Sequence, residues 1–115
     1  TVRLICVQEL AAAMQGSRPI RIIDVRSRRE YEASYIEGAI NIPAPDLRRR
    51  HAEIGRDDPA YLICSTGHRS SLGASILKQH GFKDIRNVAG GMTAYSAAGR
   101  SDSCPACAGL HGPQP

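Results

Sequence analysis

Five short runs rich in Ile and Val, separated by stretches with helical spacing, constrain this chain more than any other feature. That alternation is the mark of βαβ units, in which parallel strands are joined by helices covering both faces of the sheet. "VRLI" reads as a first strand, followed by a helix across "VQELAAAM" that ends near Gly16. "PIRIIDV" reads as a second strand. Ser27, with Glu30 three residues on, is the capping-box signature of a helix through "SRREYEAS", a local device expected to carry no chemistry. "GAINIP" is a short third strand, and Pro45 and Asp46 suit the first turn of a helix across "PDLRRRHAEI". "AYLIC" is apolar throughout, which predicts a central fourth strand. Leu72, Ile76 and Leu77 form one stripe of a helix running from Ser70 to about His80 and stopping at Gly81. "DIRNV" makes a fifth strand, and "AGGMTAYSAAG" a turn and a final short helix. After Gly99 the periodicity is lost, so the expected organisation is a domain over residues 1–99 and a flexible tail rich in Cys, Gly and Pro over 100–115.

At 115 residues the chain is one domain by length, with an ordinary globular composition of 42% hydrophobic and 23% charged residues. No apolar stretch approaches the ~18 residues of a membrane helix, so no membrane partner is expected. The net charge of +4 is carried mainly by arginine, with a run at Arg48, Arg49, Arg50 and His51 that reads as a solvated helix face. One Phe and four Tyr do not supply the aromatic interleaving of a nucleic-acid surface, which argues against that partner. Four cysteines are present, Cys6, Cys64, Cys104 and Cys107. A core of this size needs no disulfide staples, so reduced thiols and a cytoplasmic location are expected, with Cys6 a small apolar residue at a strand end. The chain opens at Thr1 without a signal-like apolar segment, as a trimmed or mature form would.

The chemistry concentrates in "YLICSTGHRSS". A central strand ending at Cys64 and a helix starting near Ser70 put the thiol at the carboxyl end of the sheet, where open α/β sheets bind ligands. Unpaired N–H groups of the turn and the first helical turn favour negative charge there. Arg69 adds a cation and a forked donor, so Cys64 is expected to be a nucleophilic thiolate near neutral pH. Gly67 permits the tight concave turn, Thr66 and His68 line its rim, and the hydroxyls of Ser65 and Ser70 can donate to an anion or to the sulfur. Cysteine-dependent phosphatases place five residues between Cys and Arg, whereas only Ser65, Thr66, Gly67 and His68 intervene here. The shorter ring suits a smaller group, such as one sulfur atom carried on the cysteine as a persulfide.

With "CSTGHRS", "IIDVRSRREYEASYIEGAINIP" and "GFKDIRNVAGGMTAYSAAG" in order, the chain resembles the rhodanese family of sulfurtransferases from about Arg3 to Gly99. The resemblance implies a three-layer α/β/α fold with a five-stranded parallel sheet, a catalytic Cys64 and an active loop from Cys64 to Arg69. It further implies that the thiolate takes the outer sulfur of thiosulfate, or of a similar anionic donor, and passes it to cyanide or to a thiol, including a protein thiol. No metal or organic cofactor is implied. Asp24, Arg26 and Glu30 match the family's acidic-basic-acidic pattern, read as one structural ion-pair network. Gly90 and Gly91 match its paired glycines, read as a turn. The chain departs from the family at Ser34, Tyr35, Ile36, Glu37, Gly38 and Ala39, where Gly-His-Ile-Pro-Gly-Ala is usual, and at Tyr95, where tryptophan is common.

"CPAC" at Cys104–Cys107 has redox-motif spacing without the strand and helix that such a motif needs. It could ligate zinc with His111, resolve a persulfide on Cys64, or be inert. His51, His80 and His111 read as solvated. A non-catalytic binding or sensing module is the alternative function, and phosphatase chemistry a third, disfavoured by loop length.

Overall fold

In the computed structural model, which describes residues 2–65 and 68–98, five strands form one parallel sheet in the order β1-β5-β4-β2-β3. They are β1 (Val2–Ile5), β2 (Arg21–Asp24), β3 (Ile40–Asn41), β4 (Ala60–Ile63) and β5 (Ile85–Val88), each where the apolar runs predict. The helices are α1 (Val7–Gln15), α2 (Arg28–Ala33), α3 (Leu47–Arg50), α4 (His68–Gln79) and α5 (Gly91–Ala98). The tail, with Cys104, Cys107 and His111, lies outside the described residues. Among the described residues, no helix is long and apolar enough to cross a membrane.

Strand alternation sorts the core into two layers. Ile23 and Leu62 face one side, where they meet Leu47 of α3 with Ala74 and Leu77 of α4. Ile22, Tyr61 and Ile63 face the other, against Val7 and Leu10 of α1 and Met92 of α5. Every residue of β4 is buried, as its unbroken apolar run predicts, and each large side chain there contributes about 1.5–3 kcal/mol by leaving water. Two residues past Leu62, Cys64 falls on the α4 side and joins that layer.

Several local expectations change. The helix expected from Pro45 across "PDLRRRHAEI" is broken into a 3-10 turn (Ala44–Asp46), the single turn of α3, and a second 3-10 turn (His51–Glu53). Leu72 is 53% exposed, because the buried stripe of α4 runs through Gly73, Ala74, Ile76 and Leu77 instead. A Cβ on Gly73 would stand 2.9 Å from side-chain carbons of both Leu47 and Leu62, so the missing side chain sets how closely α4 lies on the sheet. Cys6 is buried as expected but disulfide-bonded, which corrects the reading of four reduced thiols; an apolar setting does not decide a sulfur's oxidation state.

The predicted stop of α4 is observed in full. Gly81 takes φ +88, and the N–H groups of Gly81 and Phe82 bond to the carbonyls of Lys78 and Leu77, closing the helix end as a left-handed cap does. His51 and His80 are not simply solvated. Their rings stack at 3.9 Å, and Nδ1 of His51 is buried without a hydrogen-bond partner among the described residues.

Candidate active site

β4 has β5 on one side and β2 on the other, so its carboxyl end lies at the middle of the sheet's edge where open α/β sheets bind ligands. Cys64 sits there with a reduced thiol, 1% exposed, four residues before α4 starts at His68. Thr66 and Gly67 lie outside the described residues, so the loop is described at Cys64, Ser65, Arg69 and Ser70, with His68 present as the opening of α4.

Two hydrogen-bond clusters flank the sulfur. The inner one is neutral and buried. Cys64 Sγ–H donates to Ser70 Oγ at 3.4 Å, Ser70 donates to Asn87 Oδ1 at 2.5 Å, and Asn87 Nδ2 donates to Ser71 Oγ at 3.0 Å. Ser70 is fully buried, consistent with its expected role beside the sulfur. Asn87, on β5, was invisible as a site residue, since a lone Asn inside "DIRNV" carries no motif.

The outer cluster is ionic and half-exposed. Arg69 donates to both oxygens of Glu30 at 2.6 and 2.9 Å and to Ser65 Oγ at 2.9 Å, while Ser65 donates to Glu30 Oε2 at 2.9 Å. Glu30 is also the third residue of the observed capping box, bonded to the N–H and hydroxyl of Ser27. The box expected to be chemically idle therefore ties α2 to the loop. Arg69, expected as a cation beside the ligand, is paired here with Glu30 and Ser65, which latches the loop to α2. Arg69 holds the Glu30 carboxyl well below the usual carboxylate range, with partial burial opposing and the Ser65 and Ser27 donors adding to the shift. In turn the Arg69 guanidinium is held protonated more firmly, first by its hydrogen bond to Glu30 and to a lesser degree by negative charge on Cys64 and Asp24.

Asp24 and Arg26 do not join that network. They pair with each other at 2.7 Å, nearly sealed from water, and Arg26 also donates to the Ser34 carbonyl at 2.5 Å. Asn41 clamps the same corner by donating to the carbonyls of Asp24 and Arg26.

The paired glycines do more than turn the chain. Gly90 and Gly91 both take positive φ, and a Cβ on Gly91 would lie 2.0 Å from the Cys64 carbonyl oxygen. This approach lets the N–H groups of Met92 and Thr93 bond to the carbonyls of Cys64 and Ser65 at 2.6 and 3.1 Å. The loop is thus fastened by α2 through Glu30, by β5 through Asn87 and by α5 through its first turn. Tyr35, where the family pattern fails, is 55% exposed and stacks on Tyr31 at 4.9 Å. Chemically, a sulfur at a sheet end and a helix start, with the Ser70 hydroxyl beside it, can act as a thiolate nucleophile.

The sequence pattern of the rhodanese-like domain matches residues 7–98. The chain is 34% identical over 88 residues to YrkF of Bacillus subtilis, a putative sulfur carrier protein, covering 76% of this chain and 48% of YrkF. It therefore spans about half the length of that curated relative. It is 27% identical over 85 residues to GlpE of Shewanella oneidensis, a thiosulfate sulfurtransferase, covering 74% of this chain and 84% of GlpE. The crystal structure of a rhodanese-like domain protein from Staphylococcus aureus superposes with a TM-score of 0.76 at 31% identity, covering 81% of this chain and 90% of that one.

Proposed function

Because the chain belongs to the rhodanese-like domain family, whose members similar to it include sulfur-carrier and sulfurtransferase proteins, we propose that it relays a sulfane sulfur through a persulfide on Cys64. One observation carries the reading: a buried, reduced Cys64 at the β4–α4 junction, in a loop fastened on three sides, with the Ser70 hydroxyl against its sulfur.

In the forward half, the Cys64 thiolate attacks the outer sulfur of thiosulfate. A new S–S bond forms, the old sulfur–sulfur bond breaks, and its electron pair leaves on sulfite. In the return half, cyanide or a thiolate attacks the outer sulfur of the persulfide, taking it away as thiocyanate or a new persulfide and restoring the Cys64 thiolate. Each intermediate carries its negative charge at the sulfur, beside the buried Ser70 hydroxyl, which can turn its proton toward a thiolate. Ser65, Thr66, Gly67, His68, Arg69 and Ser70 are proposed to surround the donor. Arg69 does so mainly by shaping the loop, since Glu30 balances its charge.

Thiosulfate is the proposed donor on two grounds: the net charge of +4 favours a dianion, and the similar GlpE is a thiosulfate sulfurtransferase. Incubating the protein with thiosulfate, and separately with mercaptopyruvate, should add the mass of one sulfur to the Cys64 peptide, faster with thiosulfate. No gain from either donor, with Cys64 reduced, would overturn the relay and leave the binding-module reading.

A further inference from the structure

We infer that the end of the sheet opposite Cys64 carries a second binding site, a cavity fitted to a small organic carboxylate. It uses the amino end of β4, so it stands apart from the sulfur relay.

The cavity, of about 220 Å3, lies where the last turn of α1 and the turn into β2 meet the amino ends of β4 and β5. Tyr61, the second residue of β4, is in its wall, three residues and about 10 Å from Cys64 at the rise of a strand. Its other polar side chains are Ser17, Arg18 and Arg86; each can donate a hydrogen bond, and no carboxylate stands among them. Ala13, Ile20 and Pro59 form an apolar side.

Two of these donors want an acceptor. The Tyr61 hydroxyl accepts from Arg86 Nη1 at 2.5 Å and keeps its own proton to give, yet no described residue receives it. Tyr61 is 2% exposed, and buried hydroxyls are as a rule paired, so this one calls for an acceptor from outside the chain. Arg86 is held in place by Asp84, which accepts from Nε and Nη2 and balances its charge, and two of its five N–H groups stay open. Arg18 is exposed and has no ion-pair partner among the described residues, so one positive charge at the cavity is uncompensated.

These features define the ligand. One uncompensated cation matches a monoanion. The Tyr61 hydroxyl and Arg86 Nη1, side by side, suit the paired oxygens of a carboxylate, and the apolar side covers a hydrocarbon body. Inorganic phosphate would leave that side facing water.

The test is a titration of the isotope-labelled full chain with benzoate, followed by backbone amide NMR. Resonances of Gly16, Ser17, Arg18, Tyr61 and Arg86 should shift saturably while those of Cys64 and Ser70 hold still. Benzamide, the same shape without the charge, and inorganic phosphate should each bind about tenfold more weakly or less. Tyr61→Phe should weaken benzoate about tenfold, as loss of one hydrogen bond to a charged acceptor requires, and Arg18→Ala about twofold to fivefold, as loss of one exposed charge does. Arg18 is exposed, so its variant decides the matter if Tyr61→Phe does not fold. The inference is overturned by shifts that do not saturate or that centre on Cys64, by benzamide or phosphate matching benzoate, or by Arg18→Ala binding as wild type does.

Discussion

Asp24–Arg26 and Glu30–Arg69 are both carboxylate–guanidinium pairs, and three of their four residues come from the stretch "DVRSRRE", yet they do opposite work. The first is closed off, with side chains 1% and 7% exposed, and joins residues two apart. The second is 37% and 40% exposed and joins residues 39 apart. A buried pair is held in place because losing either partner strands a charge without water. A half-exposed pair is screened and adds little to stability, so its value lies in where it holds the chain. Here it holds Arg69, and with it the loop beginning at Cys64.

The largest expected effect follows from the buried member. Asp24→Asn should lower the unfolding free energy by about 3–5 kcal/mol in urea denaturation, because Arg26 stays behind uncompensated. A loss under 1 kcal/mol would mean that the two pairs do not differ in kind. Gly91→Ala disturbs the loop while touching neither pair. With its Cβ aimed at the Cys64 carbonyl, it should cost about 2–4 kcal/mol and cut sulfur loading of Cys64.

Glu30→Gln turns the comparison around. Stability should change by no more than about 1 kcal/mol, while sulfur-transfer rate falls roughly tenfold to a hundredfold as the loop loses its set position. Equal rates for the variant and wild type would reduce the latch to decoration.

Acid sharpens the same point. Below its ordinary value of 4.5, Glu30 in the unfolded chain takes up a proton that the folded chain refuses, so the pair's contribution is complete above that pH and drains away as pH falls toward the depressed folded value. The stability of wild type and Glu30→Gln, measured against pH, should converge only below that point. The smallest effect belongs to His51, whose folded pKa lies below its ordinary 6.5 because of burial first and then the charges of His80 and Arg56. Its stability contribution is present above 6.5 and fades as pH falls through it. His51→Gln should therefore flatten the stability profile between neutral and mildly acidic pH.

Much of this molecule is written locally. The apolar runs placed five strands, Ser27 with Glu30 capped α2, Gly81 ended α4, and a thiol closing an all-apolar strand marked the candidate site. Such features depend on periodicity and on a few neighbouring residues, which a sequence displays directly. What Arg69 binds, why Gly91 must lack a side chain, and that Asn87 stands behind Ser70 were decided by the tertiary structure alone. Each depends on which elements end up side by side, with β4 between β5 and β2 and α5 crowding onto the Cys64 carbonyl. Partners 17 and 39 residues apart are brought together by the packing of the whole sheet, and no short window of residues records that.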